Sequence, residues 1–174
     1  EMLGNFSFGG YFKKEAIHYA YDFITKEMGL KIDYVSIFAG EGNVPEDKDS
    51  EAIWKEVDSS LVIEKFGRAD NFWGPTGNEG PCGPTTEIYV NGLEVWNLVF
   101  NEYYQKPDGS LEKLKTPGID TGMGLERLAM VVQQKENIFE TDLLLGLMDR
   151  ISPLVPLRVK RITADHTRSI AFLV

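Results

Sequence analysis

The 174-residue sequence predicts an α+β fold, an antiparallel sheet with helices packed on it. Three observations carry that reading: strand-like alternation through 87–115, an amphipathic helix over 11–28, and a helical pattern from residue 125 onward. The opening EMLGNFSFGG reads as strand and turn. From Tyr11 to Met28, Phe12, Ala16, Ala20, Phe23, Ile24 and Met28 fall near helical spacing, with Lys13, Lys14, Asp22 and Lys26 turned away and Gly29 as the stop. DYVSIFA (33–39) is short and β-rich, and GEGNVPEDKDS (40–50) is a polar surface connection leading into a helical run from about Glu51 to Val57. Glycine and proline crowd GRADNFWGPTGNEGPCGP (67–84), which reads as a long special loop without a regular element. EIYVNG (87–92), LEVWNLVFNEYYQ (93–105) and LEKLK (111–115), with KPDGS as a turn, form an antiparallel meander. Ile119–Gly124 runs from strand into turn, Leu125–Gln134 is helical, and two more helices lie around 140–150 and 159–173, separated by SPLVPL.

Length and composition bound the partners. One domain's worth of chain with 43% hydrophobic residues can bury a sizeable core. Eighteen Lys plus Arg against twenty-seven Asp plus Glu leave a net charge of −9, so any nucleic-acid contact has to be local. A single cysteine excludes an internal disulfide and an all-cysteine metal cage, and no zinc-site spacing is present. No apolar run approaches the roughly 20 residues of a membrane span and the start lacks a signal-peptide layout, so the expected location is the cytoplasm. The chain opens on Glu1 and stops at IAFLV inside a helical pattern, and is expected to be a piece of a longer protein, incomplete at both ends.

The densest constellation is Asp120-Thr-Gly-Met-Gly-Leu-Glu-Arg127. An acid at a strand end, two glycines that let a ligand approach the backbone, and an arginine one turn into a helix suit an anionic ligand. A glycine turn with a solvated Glu126 and Arg127 fits the same residues.

IDTGMGLER, together with NFW (71–73), GPCGP (80–84), EVWNLVF (94–100) and GNFSFGGYFKKEAI (4–17), resembles the aminoacylation core of the alanyl-tRNA synthetase family, class II aminoacyl-tRNA synthetases. The blocks stand in that family's order at similar spacings. The likeness is strong across 1–17, 70–134 and 159–172 and loose across 29–66 and 145–158, where this chain looks compressed. GMGLER resembles the third class II signature motif and EMLGNFSF the end of the second.

The resemblance implies an ATP- and magnesium-dependent ligase that forms alanyl-adenylate and passes alanine to tRNA(Ala). Asp120 would accept the substrate ammonium, while Trp73, Asn97, Val99 and Gly122 would wall the amino-acid pocket. Arg127, with Gly122 and Gly124, would face the nucleotide, and Glu87 or Glu94 would hold magnesium. For these positions a plain structural role stands beside the functional one: a turn cap for Asp120, core packing for Trp73, a strand-edge amide for Asn97 and an exposed strand carboxylate for either glutamate. Cys82 reads as a small packed residue, and His18 as a helix-surface residue without a role. Arg158, Lys160, Arg161 and Arg168 form the basic cluster of an acidic chain; Arg161 and Arg168 are the candidate tRNA contacts, and a solvated helix face is the other reading. Residues 1–150 would be a partial class II core and 151–174 the start of the helical acceptor-stem region.

Departures from the pattern bear on the reading. Gly10 stands where the family has an acidic residue, removing a possible helix cap, and Gly-Pro-Thr-Gly after Trp73 makes that loop one residue longer. The first strand of the second motif, with its arginine, would lie upstream of Glu1, so the alternative function is a catalytically incomplete tRNA-binding or scaffold module. Editing of misactivated amino acids would belong to a module elsewhere in the full chain or acting in trans.

Overall fold

A computed structural model describes residues 1–174, which divide into two compact units, Glu1–Gly124 and Leu125–Val174. The first is an eight-stranded sheet with helices: β1 (Met2–Leu3), β2 (Phe6–Phe8), α1 (Lys13–Asp22), β3 (Tyr34–Phe38), α2 (Lys48–Val57), β4 (Val62–Phe66), α3 (Arg68–Asn71), β5 (Phe72–Trp73), β6 (Gly80–Val90), β7 (Leu93–Gln105) and β8 (Leu111–Gly124). The strand order is β1-β8-β7-β6-β3-β4, with β2 also pairing β8 and β5 pairing β6. Every pair is antiparallel except β3 with β4. The α+β architecture expected from the sequence is present, and the meander of β6, β7 and β8 is its centre.

Alternation divides the residues of those central strands between the two faces of the sheet. Thr86, Ile88, Trp96, Leu98, Phe100, Ile119 and Met123 share one face through their register and are buried. On that side lies α1, with Ala16, Ile17 and Ala20 buried, and Phe12 and Phe23 meet Phe100 and Trp96 edge-on. Trp54 of α2 is fully buried, and its indole N–H donates to Thr86 Oγ1 at 2.8 Å, which meets the need of a buried polar ring atom. The opposite face carries Thr85, Glu87, Asn97, Val99, Asp120 and Gly122.

Three expectations are corrected, and one strand that the sequence did not suggest is present. Lys13 does not turn to solvent: it is buried, 2.7 Å from Asp47 and 2.5 Å from Glu102, with its ammonium over the Phe12 and Phe100 rings. Burial alone would lower the Lys13 pKa, but the two carboxylates outweigh it and hold the ammonium above its ordinary value. Residues 67–84 are not one loop: α3, β5 and the first half of β6 lie there, leaving 74–79 irregular. Pro84 falls where the pairing with β7 shifts register, between Cys82 and Thr85. The strand β4, unmarked by any alternation, pairs in parallel with β3. Finally, β8 runs unbroken through Pro117, which falls between the Lys113 and Gly118 pairings, where β7 shifts register.

At the start of α1, the Phe12 side chain has no oxygen with which to cap the helix, and Glu15 supplies what is available by accepting from the Phe12 N–H at 3.3 Å. The helix continues as a π-helical turn, Phe23–Glu27, and ends at Gly29 with φ +64°. In the second unit, α4 (Leu125–Val132), a 3₁₀ turn (Ile138–Glu140), α5 (Asp142–Arg150) and α6 (Leu157–Leu173) follow the expected helices closely. Leu128, Val131, Leu144, Met148 and Ala164 are its buried residues of apolar type. No helix is long and apolar enough to cross a membrane.

Candidate active site

An open cleft of ≈430 Å³ on the polar face of the sheet draws its walls from five strands. Met2 and Leu3 come from β1, Phe6 from β2, Trp73 from β5, Glu94, Asn97 and Val99 from β7, and Asp120, Thr121 and Gly122 from β8. Register explains the convergence. Val99 pairs with Asp120 and Asn97 with Gly122, so the four positions form two adjacent rows on the same face. A slip of one residue would send all of them to the helix-covered side.

Gly122 matters by what it lacks. A Cβ there would come within 3.1 Å of the Met2 sulfur, so a side chain would fill the floor between β1 and β7. Gly4 is stricter still, because a Cβ would lie 2.1 Å from the Thr121 carbonyl oxygen. That close approach lets the chain jog between β1 and β2 while both pair with β8, and Asn5 fixes the jog by exchanging hydrogen bonds with the Thr121 hydroxyl at 2.9 and 2.7 Å.

Asp120 stands half-buried in the cleft wall, and no protein donor reaches its carboxylate. Desolvation pushes its pKa above the ordinary carboxylate value. Val99 is buried and Trp73 is 38% exposed. Glu94 borders the cleft, whereas Glu87 lies beside Asn97, buried, and does not line it. The Glu87 carboxylate accepts from Tyr89 Oη at 2.7 Å, Ser36 Oγ at 3.2 Å and Asn97 Nδ2 at 3.3 Å. Burial raises its pKa, and the Glu94 charge adds to that, against the lowering hydrogen bonds from Tyr89 and Ser36.

Of the other expected residues in the first unit, Gly124 does not line this cleft. Gly124 ends β8 opposite Met2, and Arg127 is in the first turn of α4. On α6, Arg168 is paired with Glu126 at 2.5 Å, and the Arg161 guanidinium lies 5.4 Å from the Phe139 ring centre. Cys82 is buried in an apolar cluster with Phe38, Val44, Phe72 and Tyr103, and burial raises its thiol pKa, as suits a packed residue. His18 is half-buried on α1 rather than at its surface, with Nε2 shielded from solvent.

Met2, Leu3, Phe6 and Thr121 of the cleft wall, and the Ser36, Asn71 and Tyr89 side chains behind it, were not singled out from the sequence. Nothing in local spacing announces which residues of distant strands become neighbours.

Magnesium prefers carboxylate oxygen and keeps several waters, so it needs one or two acidic side chains rather than a cage. No group of three or more His, Cys, Asp or Glu side chains converges in the structure, and Glu94 in the cleft wall fits the smaller requirement. The Glu87 carboxylate lies outside the cleft lining and accepts from three donors.

The chain belongs to the class II (A) tRNA synthetase family, whose family model matches residues 1–174. Among its curated relatives are alanine–tRNA ligases: that of Rubrobacter xylanophilus is 42% identical, covering 100% of this chain and 24% of the relative. Those of Helicobacter pylori strain Shi470 and Endomicrobium trichonymphae are 41% and 39% identical, covering 99% and 100% of this chain and 23% and 22% of their own lengths. The chain thus spans about a quarter of these relatives. The first aligned span, 212 positions, exceeds the 174 residues here, so that relative carries segments without a counterpart in this chain.

Proposed function

We propose that this chain forms the amino-acid-activating part of an alanine–tRNA ligase, joining alanine to AMP with ATP and magnesium before transfer to the 3′ end of tRNA(Ala). One observation carries the reading: a half-buried Asp120 carboxylate without a protein donor, set in a small cleft beside Trp73, Asn97, Val99 and Gly122. A fixed acceptor with no partner of its own suits a small cation, and the alanine ammonium is one.

In activation, a carboxylate oxygen of alanine bonds to the α-phosphorus of ATP and pyrophosphate leaves with the electron pair of the broken P–O bond. Both reactants are anionic, so catalysis depends on placement and fixed positive charge rather than on a nucleophilic side chain. Asp120 would hold the ammonium and thereby aim the alanine carboxylate; Val99 and Trp73 would limit the side chain to about a methyl group. Arg127, with Gly122 and Gly124, would serve the nucleotide, and magnesium, held through Glu94, would neutralise phosphate charge. An extra hydroxyl or a missing methyl changes binding by only ~1–3 kcal/mol, so serine and glycine would be activated at times and the whole protein would require editing elsewhere or in trans. Arg161 and Arg168 of α6 would contribute to tRNA contact, and the cytoplasm is the place of such a reaction.

Asp120→Asn in the full-length parent tests the reading. Alanine-dependent ATP–pyrophosphate exchange should lose about 100-fold or more in kcat/KM while the fold survives, as expected when a charge-assisted contact to substrate is removed. Exchange at the unaltered rate would remove Asp120 from the substrate site.

A further inference from the structure

Asn97 carries an unmet hydrogen-bonding need. Its Nδ2 is directed to Glu87 Oε1, so Oδ1 is turned away from that carboxylate, and Oδ1 is shielded from solvent with no donor. A buried acceptor without a partner is costly, and native structures rarely keep one without a reason. Asn97 forms part of the cleft wall, diagonal to Asp120 across the β7–β8 register; directly opposite is Gly122 with the exposed, flexible Met2 side chain over it, so a ligand meets the shielded Oδ1 only as the cleft-wall side chains move aside.

An amide can present either end, and what decides between them is the partner behind it. Glu87 in its ionised form offers only acceptors, which draws the amide NH₂ toward itself. The carboxylate is in turn fixed by Ser36 and Tyr89. Tyr89 stacks on Tyr34 with ring centres 4.3 Å apart, and Asn71 Nδ2 donates to Ser36 Oγ at 2.9 Å, so the support extends two strands away from the cleft. The hydrogen bonds from Tyr89 and Ser36 favour its ionised form, while burial and the Glu94 charge hold its pKa above the ordinary carboxylate value.

We infer that Glu87 is a positioning residue that sets the Asn97 amide with Oδ1 as a second acceptor, beside Asp120, for the ammonium group of the amino-acid substrate. The inference rests on the proposed reading of the cleft. It also separates the two glutamates, giving Glu87 an orienting role and leaving Glu94 to magnesium.

The test uses the full-length parent enzyme. Glu87→Gln keeps the shape but can donate as well as accept, so it no longer dictates which end of Asn97 faces it. Its KM for alanine in pyrophosphate exchange should rise about 10-fold, with kcat, the KM for ATP and the magnesium requirement nearly unchanged. Calorimetric titration with a non-hydrolysable alanyl-adenylate analogue should weaken by a similar factor. Adding Asn97→Asp to Glu87→Gln should recover most of that loss, because the introduced glutamine amide can donate to one carboxylate oxygen and leave the other as the acceptor. Should Glu87→Gln fail to fold, Tyr89→Phe removes one donor to Glu87 and should raise the alanine KM about threefold. A shift in magnesium requirement with unchanged alanine KM would overturn the inference and make Glu87 a metal ligand. Unchanged alanine KM in a variant family where Asp120→Asn is crippled would overturn the inference alone; insensitivity to Asp120→Asn as well would overturn the reading beneath it.

Discussion

A carboxylate kept half-buried without a donor works against the fold, and Asp120 is such a group. Its folded-state pKa is raised, so the native state holds its proton more tightly than the unfolded chain does. Below the unfolded carboxylate value, near ~3.9, it costs nothing; as pH rises through that value and then through the raised folded one, stability is lost. Asp120→Asn should therefore unfold at a higher temperature than the unsubstituted protein at neutral pH, with the difference closing in acid. Thermal unfolding at several pH values checks this, and an Asp120→Asn protein less stable at neutral pH would contradict it. Lys13 shows the converse. Its position on the polar side of a helical wheel suggested solvent, yet Asp47 and Glu102 approach it from a loop and from β7. A helix pattern records only a residue's own element, whereas burial of a charge is decided by what neighbouring elements bring.

Elements were legible where their period was long and their partners local. The α1 helix and the β6–β7–β8 meander follow from apolar spacing and from KPDGS, whose Asp108 accepts from the Ser110 N–H to close the turn. Less visible was β5 with the first half of β6, since glycine and proline there mark a close approach of strands rather than a loop. Gly83 is the clearest case: a Cβ would stand 1.8 Å from the Phe100 carbonyl oxygen, and Gly83 pairs with Trp73 on its other side. Gly83→Ala should cost about 3 kcal/mol or more, because the obstruction is backbone and cannot rotate away. Chemical denaturation measures it, and a loss under ~1 kcal/mol would show that β6 and β7 separate more readily than this packing implies. In β4 the residues VIEKF have no clean alternation because an edge strand beside a parallel neighbour has little to bury, and Val62 is 53% exposed.

At the scale of the whole molecule, a net charge of −9 confines any contact with RNA phosphate to a local patch, and the α6 arginines are the proposed one. Arg168 already has Glu126, and Arg161 rests against Phe139, so each would give up or share an existing partner on meeting a phosphate. Replacing both with alanine in the parent should weaken tRNA binding and flatten the slope of log affinity against log salt by about one to two. An unaltered slope would return these side chains to a purely structural role. The family was readable from ordered motifs, while the cleft was readable only in part: Asp120, Asn97, Val99, Trp73 and Gly122 stood in those motifs, but Met2 and Phe6 join them through pairing with β8, a strand far away in sequence.

That distance sets an order of events during synthesis. Met2, Leu3 and Phe6 leave the ribosome long before the strand they pair with, β8, which is the last element of its unit to emerge. Until then β1 and β2 lack the strand they pair with, and Asp120, itself on β8, is not yet part of the chain. The cleft is absent from every shorter nascent chain and closes in one late step, so a ribosome-bound product truncated before β8 should retain no affinity for an aminoacyl-adenylate.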